Sequence, residues 1–178
     1  MNFKWIRRRL GRHARSEQGT ATIEFVLTAP MVIFTFLAAF ESGIYMVRYV
    51  MLDRALDMTI RDLRLGVIET PALQTLKTSI CDRAELVSNC TSSLRLEMFS
   101  VNTSTWTFPT DDFECVDRGG TINPALEPNL GVENEVMLIR ACLTADALFP
   151  TTGIAAQMEQ DSQGGYFITA SSAFVNEP

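Results

Sequence analysis

The run "EFVLTAPMVIFTFLAAF" begins on a glutamate, Glu24, and then carries no charge for sixteen residues, Phe25 to Phe40. Glu41 interrupts it, and "SGIYMV" extends it to Val47. A helix from Phe25 to Val47 is about 35 Å long, against about 30 Å of bilayer hydrocarbon. Such a segment can cross a membrane. Charge around it is lopsided. Residues 1–19 hold six Lys/Arg (Lys4, Arg7, Arg8, Arg9, Arg12 and Arg15) against Glu17, net +5. The rest holds nine basic and twenty acidic residues, net −11. Basic flanks stay cytoplasmic, so the chain after the run is expected outside. An acidic body without a basic patch argues against nucleic acid as a partner. Ordinary signal-peptide removal fits less well, because the apolar core is long and "FLAAFESG" is a poor small-x-small site.

Four cysteines, Cys81, Cys90, Cys115 and Cys142, all follow the run. None forms a CxxC or CxxH pair, and the one histidine, His13, precedes the run, so a zinc site is not expected. In an oxidising compartment an even number reads as two disulfides. Pairing nearest neighbours gives Cys81–Cys90 and Cys115–Cys142, one of three possible connectivities.

The periodicities predict an α+β chain. One long helix runs from Thr20 to about Leu65, apolar in its first half (20–47) and amphipathic in its second (48–66), where Leu52, Ala55, Leu56, Thr59 and Leu63 recur at helical spacing. Gly66 is a candidate stop, and Asp57–Arg61 a candidate i,i+4 pair. Thr70-Pro71 reads as N-cap and first residue of a second helix carrying Leu73, Leu76 and Ile80 on one side. "LRLEMFSV", "EVMLIRACLTA" (135–145) and "GYFITASSAFV" (165–175) read as strands of a small antiparallel sheet packed on the amphipathic half of the helix. Residues 67–178 are then an outer, disulfide-containing α+β domain.

The basic leader, Gly19, Glu24 and the apolar run together resemble the signal of type IV prepilins. More closely, Gly19, Ala21, Glu24, Phe25 and Pro30 in "GTATIEFVLTAPMVIFTFLAAFESG" resemble TadE-like minor pilins (pseudopilins) of the Tad, or tight adherence, pilus and secretion system. "AFVNEP" at 173–178 is similar to the ending of such proteins. The resemblance implies a pilin-like fold and cleavage by a prepilin peptidase between Gly19 and Thr20. Glu24 then becomes the fifth residue of the product, beside Phe25, and takes an assembly role. It shares a helix face with the new α-ammonium of Thr20 and can pair with that of a neighbouring subunit. The implied setting is a bacterial inner membrane crossed once, with the outer domain in the periplasm. The implied partners are other pilin or pseudopilin subunits and the Tad assembly machinery. A single-pass anchored binding or sensor module, and a secreted domain, compete with this reading.

The remaining features carry bland readings. Pro30 is a kink or a tolerated membrane proline. Glu41 is an inter-subunit contact or, more simply, an interface carboxylate in water. "TDDFECVD" lacks the EF-hand pattern and reads as a solvated turn beside a disulfide. Asn89 and Asn102 head N-x-[ST] sequons of little weight in a bacterial chain. Trp106, Phe108 and Phe113 read as core or loop packing. No nucleophile–base pair, Walker motif or GxGxxG is present, so no catalytic residue, cofactor, metal or small-molecule substrate is expected.

Overall fold

A computed structural model describes residues 20–68, 72–85, 87, 89–106, 114–119, 134–150 and 154–175. The element order is α1 (Thr20–Arg64), α2 (Leu73–Arg83), α3 (Cys90–Ser93), β1 (Leu94–Val101), β2 (Val136–Asp146) and β3 (Gly165–Val175), with a 3-10 turn at Ala155–Gln157. This is the α+β arrangement expected: a long N-terminal apolar helix and a three-stranded antiparallel sheet in the order β1-β2-β3.

α1 is continuous over 45 residues, through Pro30. It ends where a side chain would be strained. Gly66 has φ +70°, its N–H donates to the Leu63 carbonyl (3.1 Å), and the Val67 N–H donates to that of Asp62 (3.0 Å). That pair of bonds is a Schellman stop. α2 starts at Leu73, with Ala72 in the N-cap position and no side-chain capping bond. Thr70 and Pro71, expected as cap and first residue, lie outside the described residues.

Strand period two sets the core. Leu94, Leu96 and Met98 of β1, Met137, Ile139, Ala141 and Leu143 of β2, and Tyr166, Ile168 and Ala170 of β3 are buried in one cluster. Leu52, Ala55, Leu56 and Ile60 of α1 and Leu76 and Ile80 of α2 complete it. Leu63, expected on that stripe, is partly buried against the cluster. The two helices are also clamped by polar groups. Arg83 forms an ion pair with Asp62 and donates to the Thr59 hydroxyl (2.9 Å), which itself donates to the Ala55 carbonyl (2.8 Å). The sequence points to Asp57–Arg61 as the ion pair of this region. The structure builds one between helices instead, because Asp62 faces α2.

Among the described residues, the reverse face of the sheet is covered only in part. On it, Glu97 and Arg140 are direct cross-strand partners and form an ion pair, and the Arg140 guanidinium lies 5.1 Å from the Phe99 ring centre. Lower on this face, residues 114–119 form a strap. Cys115 is bonded to Cys142 (Cα–Cα 5.4 Å), and the Thr144 hydroxyl donates to the Val116 carbonyl (2.7 Å). A second disulfide, Cys81–Cys90 (Cα–Cα 5.6 Å), joins α2 to α3.

The acidic stretch is a structured turn where it is described. Asp117 accepts from the N–H of Gly119 (3.0 Å) and from the backbone and hydroxyl of Ser162, and these bonds hold its carboxyl below its usual range. Asp111 and Asp112 lie outside the described residues, as do Phe108 and Phe113. Trp106, expected in core or loop packing, stands in a turn and not in the core. It is 61% exposed with φ 52°, in a turn closed by its N–H on the Asn102 carbonyl (2.7 Å). The turn holds it outside because Asn102 also accepts from the Ser104 N–H (2.9 Å), which reverses the chain before it can return to the core.

Candidate membrane and assembly segment

α1 divides at one residue. From Thr20 to Phe40 its side chains are bare or only partly covered, among them Phe25, Val26, Leu27, Met31, Val32, Ile33, Phe34 and Phe36. Water does not tolerate such a rod, and a bilayer does. Its hydroxyls are satisfied along the helix itself. Thr28 donates to the Glu24 carbonyl (2.9 Å), Thr35 to that of Met31 (2.8 Å) and Ser42 to that of Ala38 (2.6 Å). The segment is long and apolar enough to cross a membrane.

At Glu41 the environment reverses. Glu41 is 2% exposed, and its carboxylate accepts from the backbone N–H of Leu148 (3.3 Å) and Phe149 (3.2 Å), just past the end of β2. One turn on, the Tyr45 ring meets Tyr166 edge-on, with centroids 5.4 Å apart. One further turn on, Arg48 donates to the Asp146 carbonyl and to the Tyr166 hydroxyl, both at 2.6 Å. Leu52, Ala55, Leu56 and Thr59 then continue the same face. The seam between helix and sheet therefore runs over positions 41, 45, 48, 52, 55 and 59, an i, i+3/i+4 series.

Two expectations change here. Glu41 is neither a solvated interface carboxylate nor a free inter-subunit group, because it is spent inside the chain. The covered part of the helix also starts at Glu41, inside the 20–47 stretch read as its apolar half. Sequence reasoning missed Glu41, Tyr45 and Arg48 for one reason: a search for an apolar stripe skips charged and amphipathic residues. The signal that could have found them was the unbroken helical spacing back from Leu52.

A second polar group stands at this end of the sheet. Arg118 of the strap bridges Asp146 at the end of β2 and Asp161 before β3. Burial pushes the Asp161 carboxyl up, but the guanidinium and the N–H groups of Gly165 and Gln163 outweigh it and hold it below the usual carboxylate range. A depressed folded-state value stabilises the fold above the unfolded value and is lost as pH falls through the folded one. We expect the stability difference between wild type and Asp161→Asn to be constant from pH 7 to 5. It should shrink below about pH 4. Urea midpoints against pH check this. Likewise, Glu41→Gln puts an amide N–H₂ against a backbone donor. It should cost about 1.5 kcal/mol, seen as faster hydrogen exchange at Leu148 and Phe149.

Of the other residues singled out, Gly19 lies outside the described residues. Thr20 is the first residue of α1, and Glu24 and Phe25 stand exposed one turn later. Among the described residues no group of three His, Cys, Asp or Glu side chains could hold a metal ion. On the apolar side of α1 opposite the seam, Met46, Val47, Val50 and Met58 stay exposed beyond the bare half.

Residues 19–61 match a protein-family model described as TadE-like protein. No curated protein and no solved structure matches the chain. The matched segment takes in the residue before α1, the whole bare half and the docked half as far as Arg61. The likeness to TadE-like proteins thus runs along this helix and covers 43 of the 178 residues.

Proposed function

We propose that the chain is a minor pilin or pseudopilin, a structural subunit in the assembly of a Tad-type pilus. Its basic leader, 1–19, is removed by a prepilin peptidase after Gly19. α1 crosses the inner membrane once, from a cytoplasmic N-terminus to a periplasmic domain. The observation that carries this reading is the bare rod of α1, headed by Glu24 and matched to the TadE-like model, on a domain that grips only the later turns. A helix held this way can pack against other pilin-type helices without its own domain being disturbed. The exposed side chains of Met46, Val47 and Val50 prolong the apolar surface past the rod, as far as the exposed Arg54 and Asp57, and suit the same use. Disulfides in the outer domain fit an oxidising compartment.

The test is the N-terminus of the mature protein. Mass spectrometry of membrane-extracted protein from a host with its own peptidase should find Thr20 first. Gly19→Leu should leave the leader attached, because a peptidase that cuts after glycine must accept a small side chain at the bond. An intact leader on the wild-type protein would sink the pilin reading and leave a plain membrane-anchored domain. A terminus near Glu41 would indicate a secreted domain instead.

A further inference from the structure

We infer that the connection between β2 and β3 is a second membrane contact: Leu148 and Ile154 rest in the lipid surface of the bilayer that α1 crosses. The inference rests on the membrane reading of α1. Its basis is depth. Thr20 to Phe40 spans about 30 Å as a helix, which matches the hydrocarbon thickness of a bilayer. Glu41, the next residue, accepts from the N–H groups of Leu148 and Phe149. That pairing fixes Leu148 at the level where α1 leaves the hydrocarbon.

Leu148 is 47% exposed there, and Ile154, in the same connection, 44%. Gln160 ties the described residues on either side of 151–153 together, its side-chain amide donating to the carbonyls of Ala155 (2.6 Å) and Pro150 (3.4 Å). The charges nearest the contact are buried or ion-paired, Asp146 with 70% of its side chain still exposed. The Glu41 carboxylate is buried, and Arg118 lies between Asp146 and Asp161. A domain held at two points on the bilayer has a set tilt, where one held by a single helix would swing.

The test uses full-length chains carrying one tryptophan each, in vesicles of phosphatidylcholine and phosphatidylglycerol with brominated acyl chains. The native tryptophans are Trp5 and Trp106. Leu148→Trp and Phe36→Trp are each placed in a Trp5→Phe, Trp106→Phe background. Trp5→Phe alone leaves Trp106, which is exposed at the opposite end of the sheet. Fluorescence from positions 36 and 148 should fall by half or more with shallow brominated lipid and resist aqueous iodide. Trp106 should do the reverse. Ile154→Trp repeats the measurement should the first variant not fold. Iodide quenching at 148 and 154 like that of Trp106, with position 36 still quenched by lipid, would overturn the inference and leave the membrane reading standing. Protection from both quenchers would mean a protein contact and would overturn it too. If position 36 itself escapes brominated lipid, the membrane reading falls.

Discussion

Glu24→Gln should yield a processed, membrane-resident protein that no longer supports pili. Insertion should not suffer, since removing a charge from the head of a spanning helix makes insertion easier. Cleavage should persist, because Gly19 and the basic leader are intact. What is lost is the counter-charge. In the assembled state proposed here, the α-ammonium created at Thr20 is packed among helices, and an ammonium buried without its carboxylate is strongly destabilising, by about 3–5 kcal/mol for a broken buried pair. At about 1.4 kcal/mol per factor of ten, that is a loss of roughly two to three and a half orders of magnitude in association. Crosslinks from α1 to other subunits should weaken in step with the count of pili. Normal pili and normal crosslinks in a Glu24→Gln strain would reduce Glu24 to a group that merely reaches the headgroups. The structure is compatible with either role, since it holds Glu24 exposed on α1, one turn from the helix start.

Replacing both Cys115 and Cys142 with alanine should cost the outer domain about 3.5 kcal/mol, from the chain entropy of a 27-residue loop. The Cys81–Cys90 loop of 9 residues should be worth about 1 kcal/mol less on the same footing. The larger effect has a structural consequence as well. The strap at 114–119 covers Cys142 and Thr144 and carries Arg118 to both Asp146 and Asp161. Without its disulfide the strap, as far as it is described, is held by those bonds and by the Asp117–Ser162 contacts. Global exchange protection of β2 amides, measured on the full chain in detergent micelles, should fall roughly 300-fold. Equal protection in the variant would show that the strap's polar contacts suffice.

Where structure follows from local chemistry, the sequence by itself was sufficient. An apolar run of this length admits few solutions besides a membrane helix. Leu52, Ala55 and Leu56 recur with the helical period, and Leu94, Leu96 and Met98 with the strand period, so each chose its element and its buried face. Gly66 ended α1 because it reaches φ +70° at no steric cost. The resemblance to a prepilin-type pattern around Gly19 and Glu24 was visible for a similar reason: those residues lie within a few positions of one another in the sequence. Tertiary structure decided what joins residues distant in sequence. Nothing near Glu41 indicates that its carboxylate meets Leu148 and Phe149, more than a hundred positions away. Nothing near Arg118 indicates that it sits between two aspartates. Trp106 has the composition of a core residue, and a turn beginning at Asn102 holds it in solvent. Charged and amphipathic side chains are ambiguous in isolation, since each is stable in water and stable when fully paired. Only the fold supplies the pair, and in this chain the pairs at Glu41 and Arg48 determine where the apolar rod ends and the domain begins.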